Sequence, residues 1–490
     1  MASNFSNTRW VALSQGARVV SQLVSMTVLA RLLAPDAYGL MALAAIVTNL
    51  AYLFRDMGTG AALIQAATVS PRMASTVHWT NIALGLLIGV AIAISAPLTA
   101  QVFREPQLAT VLLLLAVVFP ITGAAVVHQA LLERDSKFAV VAGAEVAAAL
   151  VGVGVALLLA WRGAGVFSLV GQMIASTVVS TTIISVRSTF RPDRHWQLAE
   201  FKAIARFSGN LSLFNVVLYI SRNADSMVVG RMLGTVALGG YAMAYRLMLF
   251  PLQNMTFVVA RVLFPVMSRK QGDTAEVVAL YLRALGFIAF LSAPLMAGLF
   301  ALRAPFVQVM LGERWQASVV LLAWLAPVGF IQSLVSSTGT VLMARGCTDL
   351  MLRLGLVGAV LQVGAVAIGA RWGVEGVAAG YLVANLLNAV PALYFCARQI
   401  GIGFGALLRA IAPAVAAAVF MVLALRASAP LVTAVTAVTA TTAATSSALL
   451  ALLLQIAIGV IAYGAASLVL LRPQLLSLRS LIGLHKKAEA

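Results

Sequence analysis

Five arginines lie within stretches of sequence that are otherwise almost entirely apolar: Arg18, Arg55, Arg222, Arg246 and Arg261. A guanidinium at the centre of a bilayer costs roughly 2.5–3.5 kcal/mol on the insertion scale, so it needs an ion-pair partner or water. Arg261 is near the end of its stretch, where its side chain can also snorkel to the interface. Because a guanidinium binds phosphate through paired hydrogen bonds, the set predicts a cationic site for a phosphate-bearing ligand.

Polar side chains accompany these arginines at helical spacing. Gln22 belongs to such a stripe in the first apolar stretch, and Asn215 and Tyr219 belong to another in the seventh. At 100° per residue each stripe falls on one face of a helix. A polar stripe cannot face acyl chains, so it faces either another helix or water. We interpret the stripes as the lining of a hydrated cavity, and these three residues as further candidates for substrate binding.

Acidic residues are scarce in the same stretches, where only Asp56, Glu145 and Asp225 occur. Not every arginine can therefore be neutralised by a carboxylate. Asp56 adjoins Arg55 and Asp225 is one turn from Arg222, so both pairs are candidate local ion pairs. Asp225 is otherwise a candidate site for H+ or Na+ coupling, and Glu145 is a second candidate for coupling. The sequence contains no P-loop, no metal-spaced His/Cys cluster and no nucleophile motif. We therefore expect no catalytic residues, no metal and no bound cofactor.

Membrane-spanning helices must position these side chains. Of the 490 residues, 62% are hydrophobic and 10% are charged, whereas a soluble domain has about 25% charged residues. We predict an all-α polytopic membrane protein with about fourteen apolar spans, each near the length needed to cross a bilayer. The predicted spans are 10–33, 38–62, 76–100, 108–132, 139–160, 165–186, 207–230, 236–262, 281–302, 318–343, 354–370, 375–397, 406–425 and 448–471. The Ala/Thr/Val run at 429–447 either extends a helix or forms a loop, so about twelve or thirteen spans are alternatives.

The net charge of +18 does not indicate nucleic-acid binding. Most of the 33 basic residues fall on one side of the predicted topology, and the positive-inside rule then places both termini in the cytoplasm. The two cysteines imply no disulfide framework. The polar stretch 187–206 is predicted to be a cytoplasmic basic linker, either a helix on the inner leaflet or a solvated loop.

An internal repeat indicates how the spans are organised. Segment 28–44 aligns without a gap on segment 228–244, and Arg31/Arg231 and Gly39/Gly239 are among the identical pairs. Homologous halves in a membrane protein predict two bundles that rock about a shared site. We predict two parallel-repeat six-helix bundles around a central cavity, followed by a C-terminal helix pair. The predicted domains are an N-terminal lobe, the linker, a C-terminal lobe, and the helix pair with a cytoplasmic tail: 1–186, 187–206, 207–400 and 401–490.

Two glycine pairs have the spacing that brings helices together. Gly85 and Gly89 lie in the third predicted span, and Gly376 and Gly380 lie in the twelfth. Each pair presents a flat strip, because residues four apart share one face of a helix. We expect close helix packing at both.

Three motifs resemble a known family: LARLLAPDAYGLMALA (29–44), FRDMGTGAALIQ (54–65) and YAMAYRLMLFPLQNMTFVVARVLFPVMSR (241–269). They are similar to the Wzx-type lipopolysaccharide and exopolysaccharide repeat-unit flippases. Those flippases belong to the polysaccharide transporters of the multidrug/oligosaccharidyl-lipid/polysaccharide exporter superfamily, and the similarity is greatest to the colanic-acid-exporter-like branch. The similarity extends over about residues 5–400.

The resemblance implies a flippase of the bacterial inner membrane. Such a protein moves undecaprenyl-diphosphate-linked oligosaccharide to the outer leaflet by alternating access, and its partners include membrane lipid, a polysaccharide polymerase and the chain-length machinery. The family's cavity is basic, which implies a substrate-binding role for Arg55 and Arg246 within the motifs. The substrate-binding roles of Arg18 and Arg222 are predicted from the polar stripes alone.

Two other functions are compatible with parts of the pattern. An ion-coupled drug or cation antiporter of the same superfamily would need an acidic cavity, whereas the spans contain more arginines than acids. A membrane-embedded polysaccharide polymerase or ligase would need a sizeable outer loop for its catalytic residues, and the predicted outer loops are short. The flippase interpretation is therefore preferred, and we expect the protein not to be an enzyme.

Overall fold

The computed structural model describes residues 16, 21–55, 59–66, 68–194, 196–197, 219, 223–269, 274–439 and 444–470. The side chains of 253–269, 274, 348, 437–439 and 444–446 are not described. Within these ranges the chain is helical and contains no β-strand, which confirms the predicted all-α class. Arg18, Asn215 and Arg222 lie outside the described residues.

Sixteen helices form the described architecture. They are α1 (21–32), α2 (Pro35–Arg55), α3 (Thr59–Gln65), α4 (Pro71–Phe103), α5 (Pro106–Ala116), α6 (Val118–Arg134), α7 (Phe138–Trp161), α8 (Phe167–Arg187), α9 (Ala224–Arg269), α10 (Thr274–Ala301), α11 (Arg303–Met310), α12 (Gln316–Ala344), α13 (Thr348–Gly369), α14 (Gly373–Gln399), α15 (Phe404–Thr439) and α16 (Ala444–Leu470). Short 3₁₀ turns, Glu313–Trp315 and Ala370–Trp372, precede α12 and α14.

Eleven segments of the described chain are long and apolar enough to cross a membrane. One of them, Asp349–Gln399, contains both α13 and α14. The protein is therefore a multi-pass membrane protein, as predicted. The predicted number of about fourteen spans stays a prediction, because much of the first and seventh spans lies outside the described residues. The Ala/Thr/Val run extends α15 to Thr439, so most of it is helix rather than loop.

The internal repeat has the same backbone break in both copies. Leu33 and Ala34 interrupt the helix between α1 and α2, and Gly234 interrupts α9 with φ 85° and ψ 177°. Ala34 and Gly234 are equivalent positions in the alignment. The duplicated sequence therefore specifies a duplicated helix–break–helix unit.

The two copies of the repeat cross at their glycines. A Cβ atom on Gly39 would overlap the carbonyl oxygen of Thr235, and one on Gly239 would overlap the carbonyl oxygen of Pro35. Pro35 and Thr235 are themselves equivalent positions, so the contact is reciprocal and has local two-fold symmetry. Only glycine allows two helix backbones to approach this closely.

The GxxxG pairs pack as predicted. A Cβ on Gly85 would lie 2.6 Å from the carbonyl oxygen of Phe119 in α6, and Gly89 is similarly close to α5. Gly376 and Gly380 of α14 face the backbone of α13 in the same way. Both pairs therefore form close helix–helix contacts, which confirms the expectation.

The chain divides into two compact units, Met1–Gly239 and Gly240–Ala490. In the first, α7 packs on α8 and α4 packs on α6. In the second, α10 packs on α12 and α15, and α13 pairs with α14. The C-terminal pair joins the core of this unit, where the Tyr463 hydroxyl donates a 2.8 Å hydrogen bond to the Phe290 carbonyl. The predicted domain boundaries stay a prediction.

The start of the basic linker packs against the first turns of α4. The indole of Trp79 donates to the Asp193 carbonyl at 2.8 Å, and the Asp193 amide donates to the Ser75 hydroxyl at 3.0 Å. The indole of Trp196 donates to Thr80 at 3.1 Å. The described part of the linker therefore follows α4 as an extended segment, while residues 198–206 lie outside the description.

Replacing Gly239 by alanine tests the glycine crossing. The added methyl group would overlap the Pro35 carbonyl, and overpacking of this kind destabilises by about 1–3 kcal/mol. We expect a lower thermal unfolding temperature for the purified variant in detergent, and the same loss for Gly39→Ala because the contact is reciprocal.

The matched control for this pair is Gly240→Ala. A Cβ at Gly240 would meet the Ala317 Cβ at 3.6 Å, an ordinary van der Waals distance. Gly240→Ala should unfold close to the wild-type temperature. Equal stability of the Gly239 and Gly240 variants would contradict the crossing.

Candidate functional site

Arg55 ends α2, in the helix turn where a positive charge offsets the helix dipole. Its guanidinium carbon lies 4.8 Å from the centre of the Tyr52 ring, which in turn packs against Phe119 with ring centres 4.8 Å apart. The Arg55 Nε is buried and has no hydrogen-bond partner among the described residues. An aromatic side chain thus orients this arginine, with no carboxylate paired to it in the described part of the chain.

Tyr219 links the seventh predicted span to α2 through a hydrogen bond. Its hydroxyl donates a 2.9 Å hydrogen bond to the carbonyl of Ile46. Nearer the glycine crossing, a Cβ on Gly230 would press against the Leu43 side chain. Ile46 is nine residues before Arg55, about 14 Å along the helix. The helix that carries Arg55 is therefore held along one side by the seventh predicted span.

Asp225 is buried at the start of α9, with 2% of its surface exposed. Its Oδ1 accepts a 2.8 Å hydrogen bond from the amide of Ser226. An unaided carboxylate in this setting is costly to bury, so the site favours a neighbour or a proton that stabilises it. Its predicted neighbour Arg222 lies outside the described residues.

The remaining candidates are distributed over both units. Gln22 is half-buried in α1 and Glu145 is half-buried in α7. Arg246 lies in the long helix α9 with an exposed side chain. Arg261 lies further along α9, where only the backbone is described. The substrate-binding and ion-coupling roles of all these residues stay predictions.

Part of the polar stripe on α1 contacts another helix. Ser25, one turn after Gln22, is buried and accepts a 3.1 Å hydrogen bond from the Gln172 amide of α8. In α2, the buried Thr48 hydroxyl donates to the Ala44 carbonyl of its own helix. Ser25 therefore contributes a contact between two helices, whereas the Thr48 hydroxyl is satisfied within α2.

A polar cluster in the second unit was missed by sequence reasoning. The Gln332 amide nitrogen is 2.9 Å from the Tyr381 hydroxyl and 3.2 Å from the Asn385 oxygen, and the Tyr245 and Tyr381 hydroxyls are 3.2 Å apart. Tyrosine and amide groups also bind hydroxyl-rich ligands such as sugars. The sequence signal for this cluster is an uncharged polar residue near the middle of each of three spans. This signal is weaker than that of an arginine within a span.

A family model described as "Polysaccharide biosynthesis protein" matches residues 28–320, more than half of the chain. The chain belongs to this family. The match begins with the first copy of the repeat and includes the glycine crossing, Arg55 and Arg246. The family resemblance seen in the three motifs is thereby confirmed.

Among the relatives of this polysaccharide biosynthesis family member is the lipopolysaccharide biosynthesis protein WzxC of Escherichia coli (strain K12). It is 26% identical over 388 residues, which cover 79% of each chain. The fold is similar to that of the lipid II flippase MurJ in its inward closed conformation, with a TM-score of 0.74 and 15% identity over 95% of this chain and 99% of that one. It is also similar to an inward-facing multidrug resistance MATE family transporter of the MOP superfamily, with a TM-score of 0.61 and 20% identity over 78% and 94% of the two chains.

Removing the Tyr381 hydroxyl tests the polar cluster. Tyr381→Phe deletes the contacts with Gln332 and Tyr245, and hydrogen bonds between membrane helices contribute about 0.6 kcal/mol each on average. We expect a loss of about 1 kcal/mol in stability, measured by thermal unfolding in detergent. Tyr394→Phe, in the same helix but exposed, should have no effect. A matching loss in both variants would show that the cluster is not the cause.

Proposed function

We propose that this protein is a flippase that moves undecaprenyl-diphosphate-linked oligosaccharide from the inner to the outer leaflet of the bacterial inner membrane. One combined observation supports this function. The chain belongs to a polysaccharide biosynthesis family, and its fold is similar to that of a lipid II flippase over nearly the whole chain. Lipid II flippase and polysaccharide exporter would handle the same kind of molecule, a saccharide on a lipid diphosphate.

The arginines supply the chemistry that such a substrate needs. A diphosphate crossing the bilayer must exchange water for other hydrogen-bond donors, because an uncompensated charge is very costly in hydrocarbon. Arg55, positioned by Tyr52 and without a carboxylate partner among the described residues, is a suitable donor. Arg18, Arg222 and Arg246 would complete a cationic site in the predicted central cavity, with Gln22 and Asn215 binding oxygens.

Alternating access would carry the headgroup across. The fold is similar to those of MurJ and a MATE transporter, and both of these structures are described as inward conformations. Two homologous halves are also suited to rocking about a shared site. Energy would come from a H+ or Na+ gradient, with Asp225 as the first candidate for coupling and Glu145 as the second. The proposal includes both termini in the cytoplasm and a polysaccharide polymerase as the acceptor of the product.

Charge removal at the arginines tests substrate binding. In a bacterium that lacks the chromosomal copy, Arg55→Gln and Arg246→Gln should lower surface polysaccharide about ten- to a hundredfold, because a charge-assisted hydrogen bond contributes about 1.5–3 kcal/mol. Lipid-linked oligosaccharide should accumulate and is measured by mass spectrometry of extracted lipid.

Arg162→Gln is the matched control, since Arg162 is exposed in the turn between α7 and α8. It should export normally. The same assay applies to Arg18→Gln and Arg222→Gln. Normal export in all four arginine variants, at wild-type protein levels, would count against the cationic site.

Replacing Asp225 by asparagine tests ion coupling. If a proton on this carboxylate drives the cycle, flipping in inverted membrane vesicles should lose its dependence on a pH gradient, because the amide cannot titrate. Lipid-linked oligosaccharide reaching the vesicle lumen is measured with and without a protonophore. A variant that remains sensitive to the protonophore would leave Asp225 with a structural role, and Glu145→Gln would then be the next variant to examine.

A further inference from the structure

An apolar cavity of about 480 Å³ lies in the second unit between α10, α12 and α15. Ala293 and Ala297 of α10 and Ala418 of α15 make room for it, and Phe330 of α12 forms part of its wall. Among the described side chains that line it, only Arg426 is charged. The volume falls in the range of small-molecule sites, about 300–1,000 Å³.

The cavity opens on the protein surface. Val419 and Leu423 line it and are 53% and 60% exposed, whereas Met296 on its inner side is buried. In a multi-pass membrane protein, exposed side chains of this kind meet acyl chains. The cavity is therefore accessible to a hydrocarbon chain from the bilayer.

The dimensions of the cavity match one leaflet. Its lining on α15 extends from Val415 to Arg426, which is about 16 Å along a helix. Half of the hydrocarbon core of a bilayer is about 15 Å thick. A chain lying along this lining would thus place its headgroup at Arg426.

A second guanidinium lies at the same end. The Arg303 Nη1 donates a 2.6 Å hydrogen bond to the Phe300 carbonyl, and its guanidinium carbon is 5.0 Å from the centre of the Phe300 ring. Phe300 lines the cavity. The ninth and thirteenth predicted spans lie largely within α10 and α15 and cross in the same direction. The predicted topology therefore assigns Phe300 and Arg426 to the outer side.

Both arginines lack an acidic partner among the residues that the structure describes. In the described part of the chain no carboxylate lies within ion-pairing distance of Arg303 or Arg426. Positive charge is also disfavoured on the outer side of a membrane protein by the positive-inside rule. Arg426 in the lining, and Arg303 beside the lining residue Phe300, are therefore complementary to an anionic headgroup on a hydrocarbon chain.

We infer that this cavity is a binding site for an anionic glycerophospholipid of the outer leaflet, with one acyl chain along α15 and the phosphate between Arg303 and Arg426. The site is separate from the diphosphate-binding arginines proposed above, so its test does not depend on flipping. The proposed occupant is a bulk membrane lipid and not the polyprenyl carrier.

Native mass spectrometry of the purified, delipidated full-length protein tests the site. Palmitoyl-oleoyl phosphatidylglycerol is titrated against the wild type, and a saturable adduct is expected. Arg426→Gln should weaken binding about tenfold, since a charge-assisted hydrogen bond to phosphate is lost. Ala297→Leu, which fills the cavity, should weaken binding as well, and Arg371→Gln, an exposed arginine of the turn before α14, should leave it unchanged.

Two further ligands complete the test. Palmitoyl-oleoyl glycerol has the same chains without a phosphate, and it should bind about tenfold more weakly to the wild type. Undecaprenyl phosphate should not displace phosphatidylglycerol.

Three outcomes overturn the inference. If Arg426→Gln binds phosphatidylglycerol as tightly as the wild type does, Arg426 only snorkels to the interface. If the phosphate-free lipid binds the wild type as tightly as phosphatidylglycerol does, the cavity is a non-specific apolar crevice. Displacement by undecaprenyl phosphate means that the occupant is the carrier. Because Arg426 is exposed, Arg426→Gln should fold normally and remain informative even if Ala297→Leu does not.

Discussion

The close crossing of Gly39 and Gly239 is the constraint on which the arrangement of the repeat depends. Gly39 lies against the carbonyl of Thr235, and Gly239 lies against the carbonyl of Pro35. Neither position can therefore accept a side chain. Outside the repeat, Tyr219 of the seventh predicted span also bonds to Ile46 of α2. These contacts hold the helix that carries Arg55, and Tyr52 orients its guanidinium.

Burial of charge is the second constraint. Each arginine within a span is costly to place in hydrocarbon, and carboxylates are too few to neutralise them all. Arg55 is instead placed over an aromatic ring with a buried, unpartnered Nε among the described residues. Within the described part of the chain, the Arg55 side chain thus keeps an unused hydrogen-bond donor, which distinguishes it from a guanidinium in a complete ion pair.

The second unit combines polar and apolar features that serve different ends. Tyr245, Gln332, Tyr381 and Asn385 form an uncharged network that satisfies polar groups among the helices. The cavity near Arg426 is apolar except at its mouth. Uncharged polar groups bind one another at a small net gain, whereas an unneutralised guanidinium beside an apolar cavity favours an external anion.

The sequence by itself determined the helical membrane class, the duplicated segment, the close-packed glycine pairs and the positions of the arginines, because composition and periodicity report directly on lipid exposure. Only the tertiary structure decided that Gly39 meets Gly239, that Ser25 bonds to Gln172 rather than to water, and that Gln332 meets Tyr381. A stripe on a helix specifies a face but not the neighbour opposite it. That neighbour depends on packing between residues that are 49 to 200 positions apart in these three contacts, which no local pattern encodes.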